Sequence, residues 1–295
     1  MAETVTVLDE VSLEHHTIQT NDVQLHVVQA GPQEGSLVLL LHGFPEFWYG
    51  WRGQIPFLAA AGYRVWAPDQ RGYNLSAKPK DISSYDLNEL AKDVVGLIDA
   101  AGHDRAFLVG HDWGGAVAWW VALHYPDRLK KLVILNAPHP SAMHKHLRTR
   151  PEQMLRSWYM GFFQLPWLPE FLLTSGNAWG SAQMLRRTSN PGSFTDADLS
   201  HYVQAWKQPG AMTGMLNWYR ALVQQPPAPA QDSNVHVPTL ILWGKKDVAL
   251  SHELADQSLK YCDEGRLVTL ENASHWVQHD ERDRVNRLIV EFFSK

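Results

Sequence analysis

The sequence predicts an α/β fold, a mostly parallel sheet with helices on both faces and an inserted helical cap. Three observations carry this. Short apolar runs of the buried-strand type recur along the chain, helical patterns separate them, and from about residue 138 to 231 the strand runs stop. In order, residues 13–30 alternate and are broken by Asn21-Asp22, which reads as a β-hairpin. The runs 37–41, 63–67, 106–109 and 131–135 read as strands buried on both faces. Over 86–101, Leu87, Leu90, Ala91, Val94, Leu97 and Ile98 fall on one face of a helix. The stretch without strands is rich in Trp and Pro and ends in Gln-Gln-Pro-Pro-Ala-Pro-Ala at 224–230, a stiff linker composition. Strands at 239–243 and 267–270 then flank a helical segment at 251–261, and a helix over 284–293 closes the chain. The expected division is a core of residues 1–138 and 232–295 with a helical cap, or lid, of residues 139–231.

Composition excludes several functions. The chain has 295 residues, 45% hydrophobic and 19% charged, enough apolar material for a full core. With 26 Lys plus Arg against 31 Asp plus Glu the net charge is -5, and no basic stripe offers a site for nucleic acid. Cys262 is the single cysteine, so neither an internal disulfide nor a cysteine-based zinc site can form. The acidic start MAETVTVLDE does not read as a signal peptide, and apolar runs such as Leu37–Leu41 are too short to span a bilayer. A cytoplasmic protein is the expectation. The dinucleotide glycine fingerprint is absent, Gly244-Lys245 lacks the rest of a P-loop, and HExxH is missing despite 15 histidines. No cofactor and no metal are expected.

The informative pentapeptide is Gly110-His111-Asp112-Trp113-Gly114, between a buried strand and a helix. It is the small-x-nucleophile-x-small elbow, with small residues where a Cβ would collide at so tight a turn. The nucleophile position holds Asp instead of the usual Ser. A carboxylate that attacks a saturated carbon gives an alkyl ester which water can hydrolyse, so the suitable electrophiles are epoxides or carbons bearing a halide. Hydrolysis needs a base and an acid that orients it. Asp247 follows the strand at 239–243 and His275 the strand at 267–270, both on the carboxyl edge that carries Asp112. His279 is a rival base, but it belongs to the start of the final helix. Asn136 occupies the alternative acid position without a charge, and Asp69 reads as a turn residue. The expected oxyanion donors are the backbone N–H groups of Phe44 and Trp113.

His-Gly-Phe-Pro-Glu at 42–46 with Trp48, Trp51 and Arg52, the segment Gly62-Tyr63-Arg64-Val65, Asp69, Arg71-Gly72-Tyr73, Ser76, Gly-His-Asp-Trp-Gly-Gly at 110–115 and His275-Trp276 resemble the soluble epoxide hydrolases of the α/β-hydrolase fold. The resemblance runs through most of the chain and implies a cap closing over the nucleophile. It assigns two cap tyrosines to hold and protonate the epoxide oxygen: Tyr219 in Asn-Trp-Tyr-Arg at 217–220, and Tyr159 four residues before Phe163-Gln164. A phenol can donate a hydrogen bond and then a proton to a forming alkoxide. Tyr202 has no counterpart and reads as packing. Phe44, Pro45, Trp113 and Trp276 are expected in the substrate pocket. The implied partners are a small apolar epoxide and water, with a homodimer left open. The resemblance also implies that the chain starts with the hydrolase hairpin, without the N-terminal phosphatase domain of the mammalian enzymes.

Two other functions compete. A haloalkane dehalogenase uses the same Asp–His–Asp set, with the Trp113 indole as halide donor. Its second donor, commonly an Asn, is replaced by Phe44, which leaves Trp158 or Trp179 for that role. Haloacetate dehalogenases need arginines beside the nucleophile, where this chain has Trp113, Gly114, Gly115 and Ala116. A non-catalytic small-molecule receptor would fit a Trp-rich pocket but leaves the two acids and the histidine unexplained.

Overall fold

The computed structural model describes residues 4–9, 11–228 and 230–295. Residues 1–3 and Glu10, on which part of the leader reading rests, and Pro229 of the linker lie outside the described residues. Nine strands form one sheet: β1 (Thr4–Leu8), β2 (Val11–Thr20), β3 (Val23–Ala30), β4 (Leu37–Leu41), β5 (Arg64–Pro68), β6 (Ala106–His111), β7 (Leu129–Leu135), β8 (Thr239–Gly244) and β9 (Gly265–Leu270). Their order is β1-β2-β3-β5-β4-β6-β7-β8-β9, antiparallel from β1 to β5 and parallel from β5 to β9. The hairpin turns at Asn21 and Asp22, both at positive φ, as short polar side chains permit.

The period of two along β4 separates the core into two layers. Leu37, Leu39 and Leu41 enter one, with α2 (Leu87–Ala100) and α3 (Trp113–His124). Val38 and Leu40 enter the other, against α1 (Ile55–Ala60) and Val285, Ile289 and Phe293 of the final helix. The Asp86 side chain caps α2 by accepting from the N–H groups of Asn88 and Glu89. Differences from the expected elements are local. Strand β1 was not expected; it is a short edge strand whose Val5 and Val7 are exposed, so burial leaves no signature on it. Strand β7 begins at Leu129, beside a register shift at Ala106/Phe107.

Between β7 and β8 the described residues contain no strand longer than an isolated bridge. Six helices occupy the interval: α4 (Pro140–Thr149), α5 (Pro151–Arg156), α6 (Trp158–Phe162), α7 (Leu168–Thr188), α8 (Asp196–Trp206) and α9 (Ala211–Gln224). Helix α7 is broken at Ser175–Ala178, where Gly176, Asn177 and Ala178 turn left-handed with φ of 59°, 63° and 58°. After β8 come α10 (Glu253–Leu259), α11 (Val277–Asp280) and α12 (Arg282–Ser294), the last starting two residues before the expected closing helix. Among the described residues no helix is long and apolar enough to cross a membrane, and no group of three or more His, Cys, Asp or Glu could hold a metal ion.

Candidate active site

The parallel strands deliver Asp112, Asp247 and His275 to one edge of the sheet. Asp112 sits between β6 and α3 at φ 50° and ψ −119°, a conformation an L-residue seldom adopts and one that stands its side chain clear of the turn. The glycines make this turn feasible: a Cβ on Gly110 would lie 2.3 Å from the Gly114 carbonyl oxygen, and one on Gly114 would lie 2.1 Å from that of Leu41. The Phe44 N–H donates to Asp112 Oδ1 at 2.8 Å. Trp113 heads α3, so its N–H is a first-turn donor without an intrahelical acceptor.

His275 lies between the two acids. Its Nδ1 is 2.7 Å from Asp247 Oδ2, and its Nε2 is 3.6 Å from Asp112 Oδ2. Asp247 is buried and fully engaged: the N–H groups of Ala249 and Leu250 donate to Oδ1, and the Asn136 amide donates to Oδ2 at 2.7 Å. Burial alone would raise its carboxyl, but His275 and these donors hold it below the usual range. Burial alone would lower the His275 imidazole. The Asp247 and Asp112 carboxylates outweigh it and push His275 up to about 10. His275 therefore stabilises the fold fully below its ordinary 6.5, and that contribution is lost as pH rises through about 10. Denaturation midpoints followed across that interval should fall more for the wild type than for His275→Gln; parallel curves would contradict the assignment.

Tyr159 and Tyr219 come from α6 and α9, and both line a cavity of about 510 Å³ that Asp112 and Trp113 also line. Their rings meet edge to face, centroids 5.9 Å apart. Burial, reinforced by the Asp112 charge, raises both phenols, so they stay protonated. The rest of the wall is mostly apolar, including Trp120, Met143, Leu147, Met160 and Leu222.

Three expected pocket residues do not line this cavity. The Phe44 ring packs behind it, 5.3 Å from that of Tyr219 and 5.5 Å from that of Phe163. Pro45 is buried, and its carbonyl accepts from the Trp206 indole. Trp276 turns away, donating to Thr188 Oγ1 and packing on Phe194. Trp158 and Trp179 are also absent from the lining and are exposed. Asp69, expected as a turn residue, is a buried acceptor for His26, Asn74 and the Trp48 N–H.

Glu46 was passed over by reasoning from residue types. It is buried, and its Oε1 accepts from the Tyr202 hydroxyl at 2.6 Å and pairs with His279 Nε2 at 2.7 Å. Gln278 donates to Oε2 at 3.0 Å, and the same amide reaches His111, whose Nε2 donates to the His275 carbonyl. Burial alone would raise the Glu46 carboxyl, but His279 and His111 hold it well below the usual range. Glu46 thus fastens α8, α11 and the elbow together, and it occupies His279, the rival base. The signal was a lone acid in an otherwise buried run after β4. Glu46→Ala strands several buried partners and should cost roughly 3–5 kcal/mol, read as a lower urea midpoint; an unchanged midpoint would refute the fastening role.

Residues 36–282 match the model of the alpha/beta hydrolase fold family. The chain is 46% identical over 275 residues to the AB hydrolase superfamily protein YfhM of Bacillus subtilis, covering 93% of this chain and 96% of that protein. It is 41% identical to Epoxide hydrolase 1 of Caenorhabditis elegans, over 94% of this chain and 70% of that one. Among solved structures, an epoxide hydrolase of Bacillus megaterium in complex with an inhibitor superposes with a TM-score of 0.88 at 32% identity, covering 95% of this chain and 100% of the other. With a nine-stranded sheet of matching fold and relatives of this similarity along most of its length, the chain belongs to the epoxide hydrolases of the α/β-hydrolase fold family.

Proposed function

We propose that this protein hydrolyses an apolar epoxide to a vicinal diol through an alkyl ester on Asp112, with residues 139–231 serving as a cap over the site. The observation that carries the reading is one cavity lined by a carboxylate on the elbow and, from the insertion, by two protonated phenols. Asp112 Oδ1 is held by the Phe44 N–H, which leaves Oδ2 to attack a ring carbon. The carbon–oxygen bond of the ring breaks, and the departing oxygen takes a proton from Tyr159 or Tyr219. In the ester, Oδ1 is the carbonyl oxygen and already has a donor where negative charge next develops; Trp113 N–H is the second donor. His275, oriented by Asp247, takes a proton from water, which attacks the ester carbon. The bond from that carbon to Oδ2 breaks, Oδ2 takes the proton from His275 and leaves in the diol, and the proton left on the new Asp112 carboxyl returns to the tyrosine. The Asp112 charge is absent from the ester, so the His275 pKa falls when a base is needed.

Displacement of halide would use the same carboxylates and histidine. The exposure of Trp158 and Trp179 leaves that reading with the Trp113 indole as its cavity donor, whereas the phenol pair has a task only with an epoxide. Loss of one donor aimed at developing charge costs about 2.7–4 kcal/mol, roughly 10²–10³ in rate. Two donors on one atom partly cover for each other. Tyr159→Phe and Tyr219→Phe should each slow alkylation by styrene oxide, the double change should nearly abolish it, and reaction with a chloroalkane should change much less. Full epoxide activity in the double variant would make both tyrosines packing residues and move the dehalogenase reading ahead.

A further inference from the structure

Large apolar side chains are exposed unevenly. Of the 14 exposed among the described residues, 8 lie between Met154 and Trp179, less than a tenth of the chain. They include Leu155, Trp158, Leu165, Trp167, Phe171 and Trp179, with Trp158 67% and Trp167 70% exposed. Aromatics of this size present up to about 150–250 Å² each when free, so the exposed tryptophans and Phe171 leave several hundred Å² of apolar surface to solvent along this segment. Within that segment Arg156 and Glu170 cancel, and the positive charge flanks it on either side. Residues 139–188 hold six basic side chains (Lys145, Arg148, Arg150, Arg156, Arg186, Arg187) against Glu152 and Glu170, a net of +4 in a chain whose net charge is -5. Arg150, Arg156 and Arg186 have acidic partners, whereas Lys145, Arg148 and Arg187 are exposed with no acidic partner among the described residues.

Both features border the cavity. His144 lines it while exposed to solvent, and Arg148, one helical turn on, lies 3.5 Å from His144. Trp158 directly precedes the cavity-lining Tyr159 and Met160. We propose that this face docks on an anionic lipid surface, with the tryptophans at headgroup level and the free cations on lipid phosphates. A second copy is the poorer occupant, because a two-fold contact would bring two faces of the same positive charge together. If the substrate is an apolar epoxide, a consequence that rests on the proposed function, it passes from the lipid to the cavity without crossing bulk water.

The test is co-sedimentation of the full chain with vesicles of phosphatidylcholine alone or mixed equally with phosphatidylglycerol. Partition onto the anionic vesicles should be roughly tenfold stronger and should fall with added salt. The triple variant Leu155→Ser, Trp167→Asn, Phe171→Ser should lose a further factor of about ten while turning over soluble styrene oxide as the wild type does, which shows it folded. Lys145→Glu with Arg187→Glu should weaken binding to the anionic vesicles alone. Absence of binding to either vesicle, or equal binding by the triple variant, overturns the proposal. So does sedimentation velocity showing a wild-type dimer that the triple variant dissolves, which would place a second copy on this face.

Discussion

Asp112→Ala is expected to lower styrene oxide turnover by roughly 10⁴–10⁶, the scale on which removal of a covalent nucleophile is felt. The fold should survive, because Asp112 is partly exposed and Ala leaves no buried charge unpaired. The oxygen inventory of a single turnover tests the same step from the other side. With enzyme in excess in heavy-oxygen water, the diol should leave with the light Oδ2 of Asp112, and the label should enter the protein. A second turnover should then deliver label to the diol, because water rebuilds the carboxylate on the side that faces His275. Label in the diol during the first turnover, or a mild effect of Asp112→Ala, would mean direct attack by water.

His275→Gln should separate the two half-reactions. Alkylation by Asp112 needs no base, so it should proceed nearly as before, while ester hydrolysis should slow by about 10²–10⁴, the usual range for a positioned general base. The alkylated protein should accumulate and show a mass increase equal to the substrate. In the free enzyme His275 stays protonated up to about 10, so alkylation should not depend on its titration below that pH. Once Asp112 is esterified, one of the two flanking carboxylates is gone. Hydrolysis by the wild type should therefore rise with pH through an apparent pKa well below that of the free enzyme. Stopped-flow rates for both phases across pH would reveal it; coincident pKa values for the two phases would exclude His275 as the titrating base.

Much of this site is legible in the chain because strand ends and glycine spacing fix where a side chain can point. Gly110 and Gly114 announce the elbow, and Asp247 and His275 follow β8 and β9 at the edge that carries it. Asn136 is less legible. Without a charge it reads as an empty acid position, yet at φ 40° its side-chain Nδ2 donates to Asp247 and its Oδ1 accepts from the Gly244 N–H, a role that requires the fold to be known. Trp276 misleads for the opposite reason: an aromatic beside a base suggests a pocket wall, but its backbone at φ −94° and ψ 53° carries the ring toward Phe194. The cavity wall itself escapes sequence reasoning, since Leu87, Trp120, Met143 and Pro226 come together only after the insertion folds back over α3.

The phenols reach the cavity from helices between β7 and β8, whereas Asp112, Asp247 and His275 hang from the sheet. Under the proposed mechanism, the residues that make the ester and those that receive the departing oxygen therefore sit on different stretches of chain. Under that mechanism, exchange of the inserted helices should change the leaving group accepted only where the new helices keep the Tyr202 hydroxyl on Glu46, the tie between insertion and elbow. A change in the sheet has no such freedom under the proposed mechanism, in which each substrate passes through the same Asp112 ester.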